Sequence, residues 1–528
     1  MNNTITSQKP FLMFEKGFQI FSVSLMLCCL TLFSSCEKEV LSSDSLISGQ
    51  NDQENISVTK PDLVFYGLTS TGLIQKFNAM DPSKAISSAT LSGLQSGEKL
   101  IAIDFRPATG QLYGLGNSSR IYVINYDTGA ARAIGTGPFT PALDSDIAGF
   151  DFNPTVDRIR VVTNKGQNLR LNPETGMVAV VDGRINGVEG AMINGSAYRN
   201  NVAGAATTEL YAIDIKTQTL YTQMPPNDGK LIEDGPLKRN FSDEGGFDIS
   251  PKNIALAALS ENKKSTLYLI DLESGKADKL GDIKDCTLIG LAIPTEPVAY
   301  AVCTSNELLI FNPTNPKPVV KPITGIQLNE KILGLDMRPV NGQLYALGST
   351  SRIYTINASS GVATMVGSGP FSPALDGTDF GFDFNPVVDR IRIVSNTGQN
   401  LRINPITGVL AFVDGKLNPG TPVVTAAAYR NNFAGTTTTE LYVLDTNTDK
   451  LFTQVPPNDG TLLEDGSLGV NADADNGFDI GGKSDKGYAI LTVSGVTKIY
   501  EINLDSGVAS PLSAFPSKVR GFAWGLGF

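Results

Sequence analysis

GFDFNPTVDRIRVVTNKGQNLRLNPETG occupies residues 149–176, and GFDFNPVVDRIRIVSNTGQNLRINPITG occupies residues 381–408. The offset is 232 residues, and it also carries DFRPATGQLYGLGNSSRIY at 104–122 onto DMRPVNGQLYALGSTSRIY at 336–354. PPNDG at 225 and 456, GFDI at 246 and 477, and the paired SAYRNN and AAYRNN keep the same spacing to within one residue. A long repeat of this kind decides the architecture before any local reading does. Residues 61–293 and 294–528 are tandem copies.

Inside one stretch, FDFNP and DRIRVV read as a hairpin turning at Asn153–Asp157. Antiparallel pairing then sets Asp151 opposite Arg160 and Asn153 opposite Arg158, with Phe150, Phe152, Ile159 and Val161 on the other face. The same register sets Asp383 opposite Arg392. Charges between covered sheet faces need partners, so both pairs are expected to be buried ion pairs.

Working outward, QLYGLGNSSRIYVINYDTG, RIRVVTNKGQNLRLNPETG, ELYAIDIKTQTLYTQMPPNDG and STLYLIDLESG share one grammar of strand, tight turn, alternating strand and TG or SG turn. Period-2 alternation in IYVIN, LYAID and LYLID marks strands. With LVFYGLTSTGLIQKFN as the opening unit, each copy holds five units of about 46 residues, the size of a propeller blade. The fold expected is all-β: two tandem five-bladed propellers, with one ten-bladed ring as the alternative. Rings of four to eight blades are usual, which favours the former. The C-terminal RGFAWGLGF has the form of a first strand with no second strand after it, so it is expected to return and close a ring. In two propellers it pairs beside residues 298–304, and residues 289–293 close the first ring.

The long motifs, together with AYRNN, TTELYAID, MPPNDG and GFDI, resemble the bacterial DUF4394 family, a domain of unknown function. The resemblance covers nearly the whole chain twice over. It implies an exported, propeller-like domain closed within each copy, and it assigns no activity and no functional residue.

Composition narrows the chemistry. The 528 residues hold 42 Lys+Arg against 53 Asp+Glu, 53 Gly, 29 Pro, one Trp and no His, for a net charge of -11. Without His, Ser/His/Asp and Cys/His nucleophile systems and imidazole metal sites are excluded. An acidic chain without basic clusters is not a nucleic-acid binder. No cofactor fingerprint is present, and none is expected.

At the N-terminus, Lys9 and Lys16 precede an apolar run from Phe18 to Phe33, followed by Ser34, Ser35 and Cys36. The run is short for a membrane span and resembles a lipoprotein signal over residues 1–35, with lipidation at Cys36. Residues 36–60 are polar and aperiodic and read as a flexible tether. These features place the chain in the bacterial cell envelope as an outer-membrane lipoprotein, its membrane contact made through the lipid anchor. Cys286 and Cys303 are expected on one hairpin turning near Thr295 and Glu296, as near neighbours rather than a direct pair.

Polar residues repeated in both copies are the candidate site. They are Asp104, Arg106, Asp151, Asn153, Asp157, Arg158, Gln167, Asn168 and Arg170, with Asp336, Arg338, Asp383, Asn385, Asp389, Arg390, Gln399, Asn400 and Arg402. Asp104, Arg106, Asp157 and Arg158, their counterparts Asp336, Arg338, Asp389 and Arg390, and Arg199, Asn200, Arg430 and Asn431 of the two YRNN segments are the binding candidates. No catalytic residue is assigned. Asp151 with Asp157, and Asp383 with Asp389, have the makings of carboxylate pairs for sugar chemistry, but neighbouring Arg depresses a carboxyl pKa and spoils a general acid. NADADNGFD at 471–479 has alternating acids yet fails the EF-hand pattern, with Asn476 at position six and Gly482 at position twelve. The chain therefore reads as a binding or scaffold module for a small-molecule, glycan or protein ligand. The alternative is a carboxylate hydrolase or lyase, assisted by calcium.

Overall fold

The computed structural model describes residues 59–242 and 244–528; the signal segment, Cys36 and nearly all of the tether lie outside the described residues. The described chain folds into forty strands arranged as ten four-stranded antiparallel sheets. In eight of them four consecutive strands form the sheet in chain order. The other two are completed by a strand from far along the chain. Leu288–Ala292 lies beside Val64–Thr69, with Gly67 opposite Leu291. Val519–Trp524 lies beside Ala299–Cys303, with Ala301 opposite Phe522.

These two returns close two separate rings. The innermost strands Leu100–Phe105, Ala148–Asn153, Ile193–Tyr198, Gly246–Ile249 and Leu288–Ala292 follow one another around the first axis. Ile332–Arg338, Phe380–Asn385, Val424–Tyr429, Gly477–Ile480 and Val519–Trp524 do so around the second. The chain is therefore two five-bladed propellers, each with its own last strand completing its first blade. Closure removes the open sheet edges that RGFAWGLGF would otherwise leave.

Burial follows radius. Every residue of the inner strand Ile193–Tyr198 is buried, whereas the outer strand Val178–Val181 is largely exposed. The apolar core is a set of wedges between neighbouring blades. Leu115, Ile121 and Ile134 of one blade pack with Phe150, Ile159 and Leu169 of the next. Five blades make a tight ring, and the inner strands approach closely. A Cβ on Gly246 would stand 2.2 Å from the Leu291 nitrogen, and one on Gly477 would stand 2.6 Å from the Phe522 Cβ.

Two sequence expectations are corrected. Residues 290–302 do not form a hairpin, because Leu288–Ala292 and Ala299–Cys303 belong to different rings. Ring closure offers each of them a better partner than its neighbour in the chain. Cys286 accordingly packs in the first propeller and Cys303 in the second, both as free thiols. The Asp151–Arg160 and Asp383–Arg392 ladders have the expected register, but neither pair is an ion pair. Arg160 reaches outward to Asp182 at 2.6 Å, Asn168, Asn227 and the Tyr198 hydroxyl. Arg392 does the same with Asp414, Asn400, Asn458 and Tyr429.

The propellers meet through the turn at residues 106–111 of the first. The Tyr300 hydroxyl donates to the Ala108 carbonyl, the Gly527 amide to the Thr109 carbonyl and the Arg106 guanidinium to the Gly342 carbonyl. Ala108 is buried in the same apolar cluster as Val298, Tyr300 and Leu526.

Candidate functional site

Each inner strand presents the same position to the axis. In chain order these positions are Asp104, Asp151, Ala197, Asp248 and Ala292 in the first ring, and Asp336, Asp383, Ala428, Asp479 and Ala523 in the second. All six Asp are 1 % exposed. Within each ring the three carboxylates place oxygen atoms within 4.8 Å of one another.

The hydrogen bonds around the axis form a closed pattern. Asp104 Oδ2 accepts the Phe152 amide of the next blade at 2.8 Å, Asp151 Oδ1 accepts that of Tyr198 at 3.0 Å, and Asp248 Oδ2 accepts that of Ile293 at 2.5 Å. Where the preceding blade carries Ala, the amide is taken by the other oxygen of the local Asp: Phe105 by Asp104 Oδ1 and Ile249 by Asp248 Oδ1. Three carboxylates thus satisfy all five inward amides. Five of their six oxygens are used, and Asp151 Oδ2 has no partner among the described residues. The second ring repeats these five amide bonds through Phe384, Tyr429, Trp524, Met337 and Ile480, but the orphaned oxygen belongs to the first ring.

Burial disfavours the ionised form. It raises Asp104 well above the usual carboxylate range, aided by the charge of Asp248, and raises Asp151 likewise, aided by Asp104 and Asp248. Asp248 and Asp479 are pushed up to about 7 by burial. Asp336 and Asp383 are raised for the same reasons.

Two residues before the axial position on each inner strand, the channel narrows to a throat. It holds about 20 Å³ in the first ring, at Gly149, Gly195 and Gly246, and about 10 Å³ in the second, at Gly381, Gly477 and Gly521. The second ring then opens into a mouth of about 350 Å³, lined by Lys331, Asp379, Thr425, Asp475, Asn476 and Arg520. The Arg520 guanidinium is anchored on the Cys303 and Thr304 carbonyls and borders both throat and mouth. The corresponding residue of the first ring is Ile289. A second cavity, of about 620 Å³, lies between the propellers against Tyr126, Phe433 and Lys483. There Lys483 is committed to Asp127 at 2.7 Å and to the Tyr126 hydroxyl.

None of the candidate residues read from the sequence lines either of these cavities. Asp104 and Asp336 sit on the axes. Arg106 is buried with Asp157 and Glu174, and Arg158 flanks them. In the second copy Arg338 pairs with Asp389, and Arg390 donates to the Asp389 carbonyl, but Glu174 is replaced by exposed Ile406. Arg199 pairs with Glu209, and Asn200 donates to the Thr207 carbonyl. Arg430 pairs with Glu440 and Asp485, and Asn431 donates to the Thr438 carbonyl. Asp151 and Asp157 belong to separate clusters, so they are not a catalytic pair, and neither are Asp383 and Asp389. Within 471–479, Asp473 pairs with Lys518 and Asn476 ties the loop to Thr425; only Asp479 joins a carboxylate group among the described residues. Asp248 and Asp479 are the axial residues missed from sequence, although both lie in the quoted GFDI repeats.

The family model described as "Domain of unknown function (DUF4394)" matches residues 73–292 and 307–523. No curated protein matches the sequence. Similar solved structures include the extracellular domain of a proposed one component system from B. thetaiotaomicron, at 9 % identity and TM-score 0.24 over 85 % of this chain and 70 % of that one. Another is PorZ, a bacterial surface component of the type-IX secretion system of Porphyromonas gingivalis, at 13 % identity and TM-score 0.25 over 87 % of this chain and 59 % of that one.

Proposed function

The chain belongs to the DUF4394 family and carries its domain twice, and from that premise we propose that it is an exported, lipid-anchored binding module that takes a small polar ligand at the axial mouth of its second propeller. The observation that carries this reading is the 350 Å³ cavity on that axis, where Arg520 stands in place of Ile289. Its size falls in the range of ligand pockets. Lys331, Arg520, Asp379 and Asp475 all line it, and the Lys331 ammonium makes no ion pair among the described residues. Such a lining suits a ligand with both donors and acceptors, such as a glycan or a short peptide end. Cys36 supplies the anchor in this reading, and Cys36→Ala releases the protein from the membrane fraction.

A carboxylate hydrolase finds less support. The axial carboxylates are 1 % exposed, and the throats hold only about one water, too little for a glycosidic bond to pass. The test is a thermal-shift screen of the mature protein against glycans and peptides, with Arg520→Ile beside the wild type. A ligand at roughly 100 times its Kd stabilises the wild type by about 2.7 kcal/mol, and Arg520→Ile, which restores the residue of the other ring, loses that shift. Equal shifts in both proteins contradict a site at this mouth.

A further inference from the structure

Three aspartates on one axis, 1 % exposed and without an ion pair among the described residues, pose a charge problem. Three negative charges in a low-dielectric interior are not tolerated bare. Either protons or a cation must compensate them. The amide pattern bears on which. Five of the six oxygens in the first ring accept backbone N–H bonds, and such bonds favour a carboxylate over a carboxylic acid. The sixth, Asp151 Oδ2, is buried and has no hydrogen-bond partner among the described residues. A backbone that supplies an amide to every oxygen but one leaves that atom for something the chain itself does not provide.

We propose that each propeller axis is a binding site for one hard divalent cation of the size of Ca²⁺, held by Asp104, Asp151 and Asp248 in the first ring and by Asp336, Asp383 and Asp479 in the second. One oxygen from each carboxylate of a trio lies within 4.8 Å of the other two, close enough for a single ion with oxygen bonds of about 2.3–2.6 Å to draw all three together. An all-oxygen, all-carboxylate ligand set selects hard cations over zinc or copper.

The two rings keep the aspartate trio and its five amide bonds, with the orphaned oxygen in the first, while they differ elsewhere, at Ile289 and Arg520 and at Glu174 and Ile406. The site would tie three inner strands together at the narrowest part of each ring. Its role is structural, and it is independent of what occupies the mouth.

The test is metal content and thermal stability of the mature protein, purified with Ca²⁺ present and dialysed against metal-free buffer. Native mass spectrometry is expected to find two Ca²⁺ per chain. Asp151→Asn and Asp383→Asn each remove one, and the double variant removes both, while Asp475→Asn at the mouth removes none. If the axial variants fold poorly, the wild type alone decides: EDTA lowers the melting temperature, and Ca²⁺ restores it with a midpoint that saturates. A protein that carries no divalent ion, and whose melting temperature is indifferent to EDTA, Ca²⁺, Mg²⁺ and Mn²⁺, overturns the proposal and leaves the trios as protonated acids.

Discussion

The Tyr300 hydroxyl donates to the Ala108 carbonyl at 2.9 Å, joining a strand beside the closing strand of the second propeller to a turn of the first. Both groups are buried, and burial pushes the Tyr300 phenol well above its ordinary pKa. Tyr300→Phe keeps the ring and removes the donor, leaving the carbonyl dry. The expected loss is about 1–3 kcal/mol in denaturant unfolding. A loss confined to the first ring's unfolding step, or no loss, would show that this contact does not couple the propellers.

Arg106 and Arg338 occupy equivalent positions with different duties. Arg106 neutralises Asp157 and Glu174 against the second propeller, whereas Arg338 has only Asp389 as an ion-pair partner among the described residues, and that carboxylate is partly exposed. Removing one partner of a buried ion pair costs about 3–5 kcal/mol. Arg106→Ala is therefore expected to fall in that range, and Arg338→Ala well below it because solvent screens the remaining carboxylate. Equal losses in paired melts would contradict the asymmetry.

Arg160 is a brace within one blade and its neighbour. Its guanidinium bridges Asp182, Asn168, Asn227 and the Tyr198 hydroxyl at 1 % exposure. Arg160→Met fills the volume but strands these acceptors, at an expected cost of about 3 kcal/mol. Arg160→Lys recovers little, because one ammonium cannot span four partners that a planar fork reaches. Urea midpoints of the two variants, compared with the wild type, check this.

Much of this architecture is legible in the sequence because the repeat states it twice. The hairpin register at Asp151 and Arg160 follows from alternation alone. Their partners do not, because a ladder specifies which backbones face each other and not how far a side chain reaches. Asp151 turns sideways to the Tyr198 amide of the next blade, and Arg160 extends outward to Asp182. Asp248 and Asp479 escape a search for clustered polar repeats because each stands alone in an apolar GFDI. The signal that finds them is a small residue two positions before the axial one, as in Gly149–Asp151, Gly246–Asp248 and Gly290–Ala292, recurring in all ten inner strands. The bond from Arg106 to the Gly342 carbonyl is invisible to any repeat, since it arises where two copies dock.

The axial carboxylate trios exist only if each copy closes its own ring, and disulfide trapping in the whole chain tests that most directly. The Ser70 amide bonds the Thr287 carbonyl and the Thr304 amide bonds the Lys518 carbonyl, each at the end of a closing ladder. In a background of Cys286→Ser and Cys303→Ala, Ser70→Cys with Thr287→Cys, and separately Thr304→Cys with Lys518→Cys, are expected to oxidise readily to intramolecular disulfides. Ser70→Cys with Lys518→Cys is expected to remain reduced. Efficient trapping of that last pair, with failure of the first two, is the signature of a single ten-bladed ring and would contradict two propellers.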